Sequence, residues 1–346
     1  MRAVVKREPA PGAVFLDVPV PKPGPGEVLV KILATSICGT DQHIYVWNEW
    51  AQNRIKPPKI MGHEFAGNVV EAGPGCKSAK VGDYVSAETH IVCGHCVQCM
   101  LNEKHVCRNT KILGVDIDGV FAEYAVIPEE NLWPNDPSIE PGVASIQEPL
   151  GNAIHTVMAG ETRGKTFAVF GCGPIGIMSV PVAKAVGASL VVAVDINDYR
   201  LNLAKKVGAD VVVDSKTEDP VKTILDLTKG QGVDVVLEMS GASVVFNQIF
   251  KVIRPGGRVS LLGLPARPIP VNFSDDIVMR GVTVQGITGR RLWETWLTGR
   301  ELLKSGRLDL RPLITHRMDL KDYKEGMDLM TAGNCGKVVL YPEGVK

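Results

Sequence analysis

The sequence carries no surplus charge: 38 lysines and arginines are balanced by 38 aspartates and glutamates over 346 residues. That balance removes any broad electrostatic pull toward nucleic acid or an anionic membrane, and no basic recognition helix offsets it. Long apolar runs are missing too. The most apolar window, 177–194, is interrupted by Pro181, Lys184 and Gly187, so no membrane span is expected. The opening Met1-Arg-Ala-Val-Val-Lys-Arg-Glu-Pro9 lacks the apolar core of a secretory leader. A cytoplasmic location is therefore expected, and there the eight cysteines read as thiolate ligands rather than disulfides. Internal repeats and low-complexity tracts are absent. What remains is an ordinary globular composition, 45% apolar, in a chain long enough for two domains.

One stretch organises the rest. The apolar run Thr166 to Phe170 ends in Gly171-Cys-Gly173-Pro-Ile-Gly176; a helix-compatible segment follows, then Leu190-Val-Val-Ala-Val-Asp195. Strand, glycine turn, helix, strand and acid in that order form the dinucleotide-binding fingerprint. Gly171 allows the tight turn, Gly173 lets the backbone approach a pyrophosphate, and Gly176 permits close packing. The helix N-terminus offers N–H groups and a positive dipole end to the phosphates. Asp195 stands where a carboxylate can accept hydrogen bonds from ribose hydroxyls. Pro181 predicts a kink in the helix.

Before this stretch, residues 1–149 read as β-rich. Strands are expected at Gly26–Ala34, Asn68–Ala72 and Asp83–Ala87, with glycine and proline turns between them. Two clusters carry chemistry. Cys38, Thr40 and His43 lie close to one another in sequence, and His63-Glu64 follows Gly62. Thiolate, imidazole and carboxylate are the donor set of an open catalytic zinc site, though Cys38 alone reads more readily as a buried thiol and His63 alone as a core histidine. The second cluster, Cys93, Cys96, Cys99 and Cys107, has the spacing C-x2-C-x2-C-x7-C and fits a closed structural zinc, with an iron–sulfur cluster the lesser alternative. Four thiols complete a shell, which leaves His95 and His105 as loop residues.

Gly62-His63-Glu64-x2-Gly67-x5-Gly73-x2-Cys76, the four-cysteine lobe and the later dinucleotide fold, taken in this order, resemble the zinc-dependent medium-chain alcohol dehydrogenases over essentially the whole chain. The resemblance implies an α/β architecture: a β-rich GroES-like catalytic domain, discontinuous over 1–150 and 291–346, and a doubly wound parallel-sheet (Rossmann) cofactor domain over 151–290. It implies NAD as cofactor and two zinc ions per chain. Cys38, His63 and Glu64 match the catalytic ligands, and Cys93, Cys96, Cys99 and Cys107 the structural ones. Thr40 and His43 match a proton relay, and Glu148 the acidic position beside the metal. Either Glu64 or Glu148 fills the inner shell. Gly171, Gly173, Ile175, Gly176, Asp195, Arg200, Leu262, Gly263, Leu264, Ile287 and Thr288 fall at cofactor positions. A homotetramer and a substrate cleft between the domains are also implied.

Beyond Asp195 the alternation of helix and strand continues through Arg258–Leu262, as a doubly wound sheet requires. Segments 300–304, 323–330 and 337–340 read as a return to the first domain. The expected reaction oxidises a small molecule bearing a hydroxyl, with hydride passing to NAD. Cys38-Gly-Thr-Asp-x-His-Ile-Tyr45, Trp47-x-Glu-Trp50 and Glu148-Pro-Leu-Gly-Asn-Ala153 narrow the resemblance toward enzymes of a charged hydroxy amino acid. Glu88, His90, Trp47, Glu49, Trp50 and Arg290 are then the substrate candidates. A polyol or sugar dehydrogenase of the same family is the alternative.

Overall fold

The computed structural model describes residues 1–345, which form two compact units. The first begins with β1 (Arg2–Lys6), β2 (Val14–Asp17) and β3 (Glu27–Ser36). Two short helices follow, α1 (Gly39–Val46) and α2 (Glu49–Arg54), and then β4 (Lys59–Ile60), β5 (Glu64–Ala72) and β6 (Tyr84–Ala87). A lobe holds β7 (His90–Ile91), α3 (Val97–Met100) and β8 (Lys111–Ile112). It leads to β9 (Tyr124–Pro128), β10 (Leu132–Pro134), α4 (Pro141–Ser145) and α5 (Gln147–Val157).

β3 is the spine of this unit. Val28, Val30 and Ile32 alternate along it, so a period of two sends all three into one core with Phe65, Val69, Val85 and Ile127. β5 and β9 both pair antiparallel with β3. Gly62, just before β5, has φ +86°, and a Cβ there would lie 2.0 Å from Phe121. Only glycine fits at that turn.

The second unit contains β11 (Thr166–Phe170), α6 (Pro174–Ala185), β12 (Leu190–Asp195), α7 (Asp198–Lys206) and β13 (Val211–Asp214). It continues through α8 (Pro220–Leu227), β14 (Val233–Glu238), α9 (Ser243–Val252), β15 (Ile253–Leu261), β16 (Thr283–Gly286) and α10 (Glu294–Lys304). Its six strands run parallel in the order β13-β12-β11-β14-β15-β16. Helices cover both faces of such a sheet, which is why the strands are apolar almost throughout. The chain order reverses between β11 and β14, so the glycine turn leaves β11 at the topological switch point. α6 continues through Pro181, which lacks the N–H that would bond residue 177.

The chain then returns to the first unit through β17 (Ile314–Asp319), α11 (Tyr323–Ala332) and β18 (Lys337–Tyr341), with β18 antiparallel to β3. The units divide at 149/150 and 313/314, so residues 291–313 belong with the second and not, as the sequence suggested, with the first. The reason is packing: Gly299 of α10 sits against Leu150 and Ile154 of α5, and Gly151 sits against Arg290. β15 also starts earlier than expected, at Ile253, and carries Pro255 and two glycines through a register shift against β14.

Candidate active site

The first cluster is assembled by β3, α1 and β5. Cys38 is the N-cap of α1, and its N–H donates to Asp41 Oδ2 at 2.9 Å. His63 and Glu64 stand at the start of β5. One donor atom from each of Cys38, His63 and Glu64 lies within 4.8 Å of the others. Asp41 is fully buried, and its Oδ1 lies 3.5 Å from His63 Nδ1, an electrostatic contact in which neither atom makes a hydrogen bond among the described residues. Burial favours neutral His63, but the neighbouring Asp41 and Cys38 outweigh it and hold the ring's pKa well above its ordinary value.

Glu64 is divided between two environments. Lys337 of β18 donates to Oε2 at 2.5 Å and to Ile37 O at 2.8 Å, and Ser36 Oγ also donates to Oε2. Oε1 is buried and has no hydrogen-bond partner among the described residues. A buried carboxylate oxygen left open beside a thiol and an imidazole fits a cation such as zinc. Burial raises the Glu64 pKa, against the pull of Lys337 and His63, while Glu148 adds to the rise. Burial lowers that of Lys337, yet the charge and hydrogen bond of the Glu64 carboxylate lead the effects that reverse the sign. Glu148 stands outside the three-residue group, with Oε1 accepting from Thr89 Oγ1 at 2.7 Å. Asp41, Ser36, Thr89 and Lys337 were missed in the sequence, because a lone Lys in a C-terminal strand carries no motif.

The lobe holds the second cluster. Sulfur separations are 3.5 Å for Cys96–Cys99, 3.8 Å for Cys96–Cys107 and 3.6 Å for Cys93–Cys107. Zn–S bonds of about 2.3 Å in a tetrahedron put sulfurs roughly 3.8 Å apart, so the four thiols fit zinc. The backbone N–H of His95 does most to hold Cys93 down at about 5, and the N–H groups of Cys99 and Arg108 lower Cys96. Burial pushes Cys99 up to about 12.

The glycine turn lies in the second unit, between β11 and α6. A Cβ at Gly176 would lie 1.9 Å from Gly171 O, so the close approach is to the turn itself. A Cβ at Gly173 would meet nothing within 4 Å, which leaves open space over the backbone. No side chain caps α6, and its first N–H groups are available to an anion. Asp195 accepts from Cys172 N at 2.6 Å, Ile196 N at 2.8 Å and Asn197 N at 2.9 Å. A carboxylate has about four acceptor positions, so roughly one remains for a ribose hydroxyl. Arg200 Nε is buried without a hydrogen-bond partner among the described residues. Leu262 N and Gly263 N donate to Glu238 O, Ile287 N donates to Leu261 O, and Leu264 and Thr288 are exposed. The turn and its surroundings therefore fit a dinucleotide.

The substrate candidates do not form one set. Glu88 is fully buried and spends Oε1 on His90 N at 2.9 Å, and Asn131 Nδ2 donates to the carbonyls of both residues. Trp47 lies under the Lys6 ammonium, 4.6 Å from ring centroid to nitrogen. Arg290 is buried in the second unit.

Two family models match the chain, the alcohol dehydrogenase GroES-like domain over residues 24–137 and the zinc-binding dehydrogenase domain over 174–305. L-threonine 3-dehydrogenase of Thermococcus kodakarensis is 55% identical over 99% of this chain and 98% of that protein. The enzyme of the same name from Pyrococcus abyssi is 57% identical over 98% of each. Among solved structures, an alcohol dehydrogenase of Escherichia coli CFT073 complexed with NADH superposes with a TM-score of 0.90 at 28% identity, over 99% of both chains. With an ordered thiol–imidazole–carboxylate group in one unit and a dinucleotide turn in the other, this chain belongs to the zinc-dependent medium-chain alcohol dehydrogenases.

Proposed function

We propose that the protein oxidises L-threonine at its 3-hydroxyl to L-2-amino-3-oxobutanoate, with NAD as hydride acceptor, in threonine catabolism. The observation that carries the chemistry is the convergence of Cys38, His63 and Glu64 beside α1, the helix bearing Thr40 and His43. The relatives named above support the substrate.

When bound, zinc supplies a Lewis acid that lowers the pKa of a hydroxyl, and NAD supplies an acceptor for hydride. Cys38, His63 and Glu64 hold the metal, with Asp41 orienting His63 and Lys337 and Ser36 orienting Glu64. Glu64, with Oε1 open, is the inner carboxylate, and Glu148, held by Thr89, stands behind it. Thr40 and His43, three apart on one helical face, take the substrate proton outward. Gly171, Gly173, Ile175 and Gly176 cradle the cofactor phosphates. Asp195 favours NAD, since a 2′-phosphate would meet its charge; Asp195→Ala should weaken that preference.

The second zinc occupies Cys93, Cys96, Cys99 and Cys107, which makes two per chain. Their reduced thiols suit the cytoplasm. No helix among the described residues is long and apolar enough to cross a membrane. The subunits associate as a homotetramer; Phe273, Val278, Met279 and Val284, the last on edge strand β16, and Val97, Met100 and Leu101 on the lobe are exposed apolar side chains available to such contacts.

A substrate panel with NAD tests the reading. L-threonine should exceed sorbitol, xylitol and simple secondary alcohols by about a hundredfold or more in kcat/KM, because a site built for substrate charges leaves its own polar groups unpaired without them. A polyol with the higher kcat/KM would replace threonine as the substrate.

A further inference from the structure

His43 is anchored by a residue that no motif marks. Asn48 is the N-cap of α2, and its Oδ1 accepts the Ala51 N–H at 3.1 Å. The same side chain places Nδ2 at 2.9 Å from His43 Nδ1. The two ends of an amide are normally interchangeable to the eye, but here the backbone resolves them. Ala51 N–H can only donate, so the oxygen faces Ala51 and the NH2 group faces His43. A donor against Nδ1 requires a lone pair there, so the imidazole proton sits on Nε2.

We propose that Asn48 is a positioning residue for the proton relay: it fixes His43 as the Nε2–H tautomer and competes with the relay proton for Nδ1. This rests on the relay reading of Thr40 and His43. The balance of the step follows from the tautomer. Nε2 already carries hydrogen, so an incoming proton can bond only at Nδ1, where it displaces the Asn48 N–H. The resulting imidazolium then returns one proton to water, since His43 lies on the exposed face of α1. No oxidant or further co-reactant enters.

The Asn48 amide is a side-chain hydrogen-bond partner of the ring. His43 forms no ion pair among the described residues, and the Trp50 ring centre lies 6.2 Å away at 58°. The charged groups on the elements beside it are Asp41 on α1, turned to Cys38 and His63; Glu49 and Arg54 on α2, with Arg54 paired to Asp116; and Lys324, Glu325 and Asp328 on α11.

Two substitutions keep the cap of α2 and change only what faces His43. Asn48→Ser retains a capping oxygen and removes the amide NH2, leaving only a shorter hydroxyl; Asn48→Asp retains the cap and presents an acceptor. On the zinc-loaded enzyme, the acid limb of the kcat profile for L-threonine should move to higher pH in the order wild type, Asn48→Ser, Asn48→Asp. The last shift should reach about one pH unit, as for an opposite charge placed within hydrogen-bond range. With 15N-histidine labelling, wild-type His43 should show an unprotonated Nδ1 and a protonated Nε2, and Asn48→Asp should reverse the pair. A protonated Nδ1 in the wild type, or unmoved acid limbs in both variants, would overturn the proposal. His43→Gln separates the two readings: if it leaves the profile unchanged, the relay assignment fails while the tautomer measured by 15N still stands or falls independently.

Discussion

Cys93, Cys96, Cys99 and Cys107 come from fifteen consecutive residues and are held chiefly by backbone N–H groups. Cys38, His63 and Glu64 are held instead by side chains drawn from residue 36 to residue 337. The lobe is a local solution: a short loop folds on itself, and its amides favour the thiolates of Cys93 and Cys96 before any metal arrives. The other cluster is a tertiary solution: His63 and Glu64 are buried, and Glu64 is oriented by Ser36 of β3 and Lys337 of β18. A closed local site contributes to folding, whereas an open site leaves a coordination position for chemistry. The contrast predicts different consequences for equivalent cuts.

Removing a catalytic ligand should have the largest effect. Cys38→Ser should lower kcat/KM for L-threonine by roughly a thousandfold, since several kcal/mol of charge stabilisation is at stake and about 1.36 kcal/mol is tenfold. Its melting temperature should stay close to that of the wild type. Steady-state kinetics, zinc analysis and calorimetry on one preparation would check both halves. A variant that unfolds would mean that this site, like the lobe, is structural.

Lys337→Met comes next. It leaves the Glu64 carboxylate buried without its cation, and breaking such a pair from one side costs about 3–5 kcal/mol. Denaturant unfolding should show this loss, and Lys337→Arg should recover part of it. Unchanged stability would mean that Glu64 needs no counter-charge, and the tertiary half of the comparison would collapse.

Cys93→Ser should act in the reverse sense to Cys38→Ser. The lobe loosens, one zinc is lost, and the melting temperature falls by several degrees, at about 2–4 °C per kcal/mol for a unit of this size. Activity should persist at low temperature. Zinc content that does not fall would remove the lobe from the metal-binding part of the comparison.

The smallest effect separates acid loss of fold from acid loss of metal. Glu129 accepts from the backbone N–H groups of Ala79, Ser78 and Lys77, which hold its carboxyl down at about 2. A depressed carboxyl stabilises the fold above the unfolded value of about 4.3 and loses that contribution as pH falls toward 2. Glu129→Gln should therefore be less stable than wild type at neutral pH, and the two should converge below pH 2. Thermal melts across that range would show it. Parallel curves would mean that the three N–H bonds do not discriminate charge.

Much of this was legible early because it is local. The glycine turn, the acid at the end of β12 and the four-cysteine spacing are consecutive-residue patterns, and chain geometry imposes them wherever the sequence occurs. The parallel strands were readable for the same reason, as unbroken apolar runs. α1 and α2 were not read as helices, since each is short and neither has a long apolar stripe. The boundary near 291 was misplaced because α10 looks like any amphipathic helix until its packing against α5 is known.

The sequence by itself determined the family, the donor types at each metal cluster and the parallel cofactor sheet, since those depend on residue identity at short spacing. Only the tertiary structure decided which oxygen of Glu64 stays open, that Lys337 supplies the buried cation, that Asp195 ties the glycine turn to the end of β12 through the Cys172 N–H, and that Asn48 faces His43. Lys337 reaches Glu64 across 273 residues of chain, and Asn48 reaches His43 only because one helix ends and another begins between them. Direction and pairing of that kind come from strands and caps meeting in space, and spacing along a chain does not encode them.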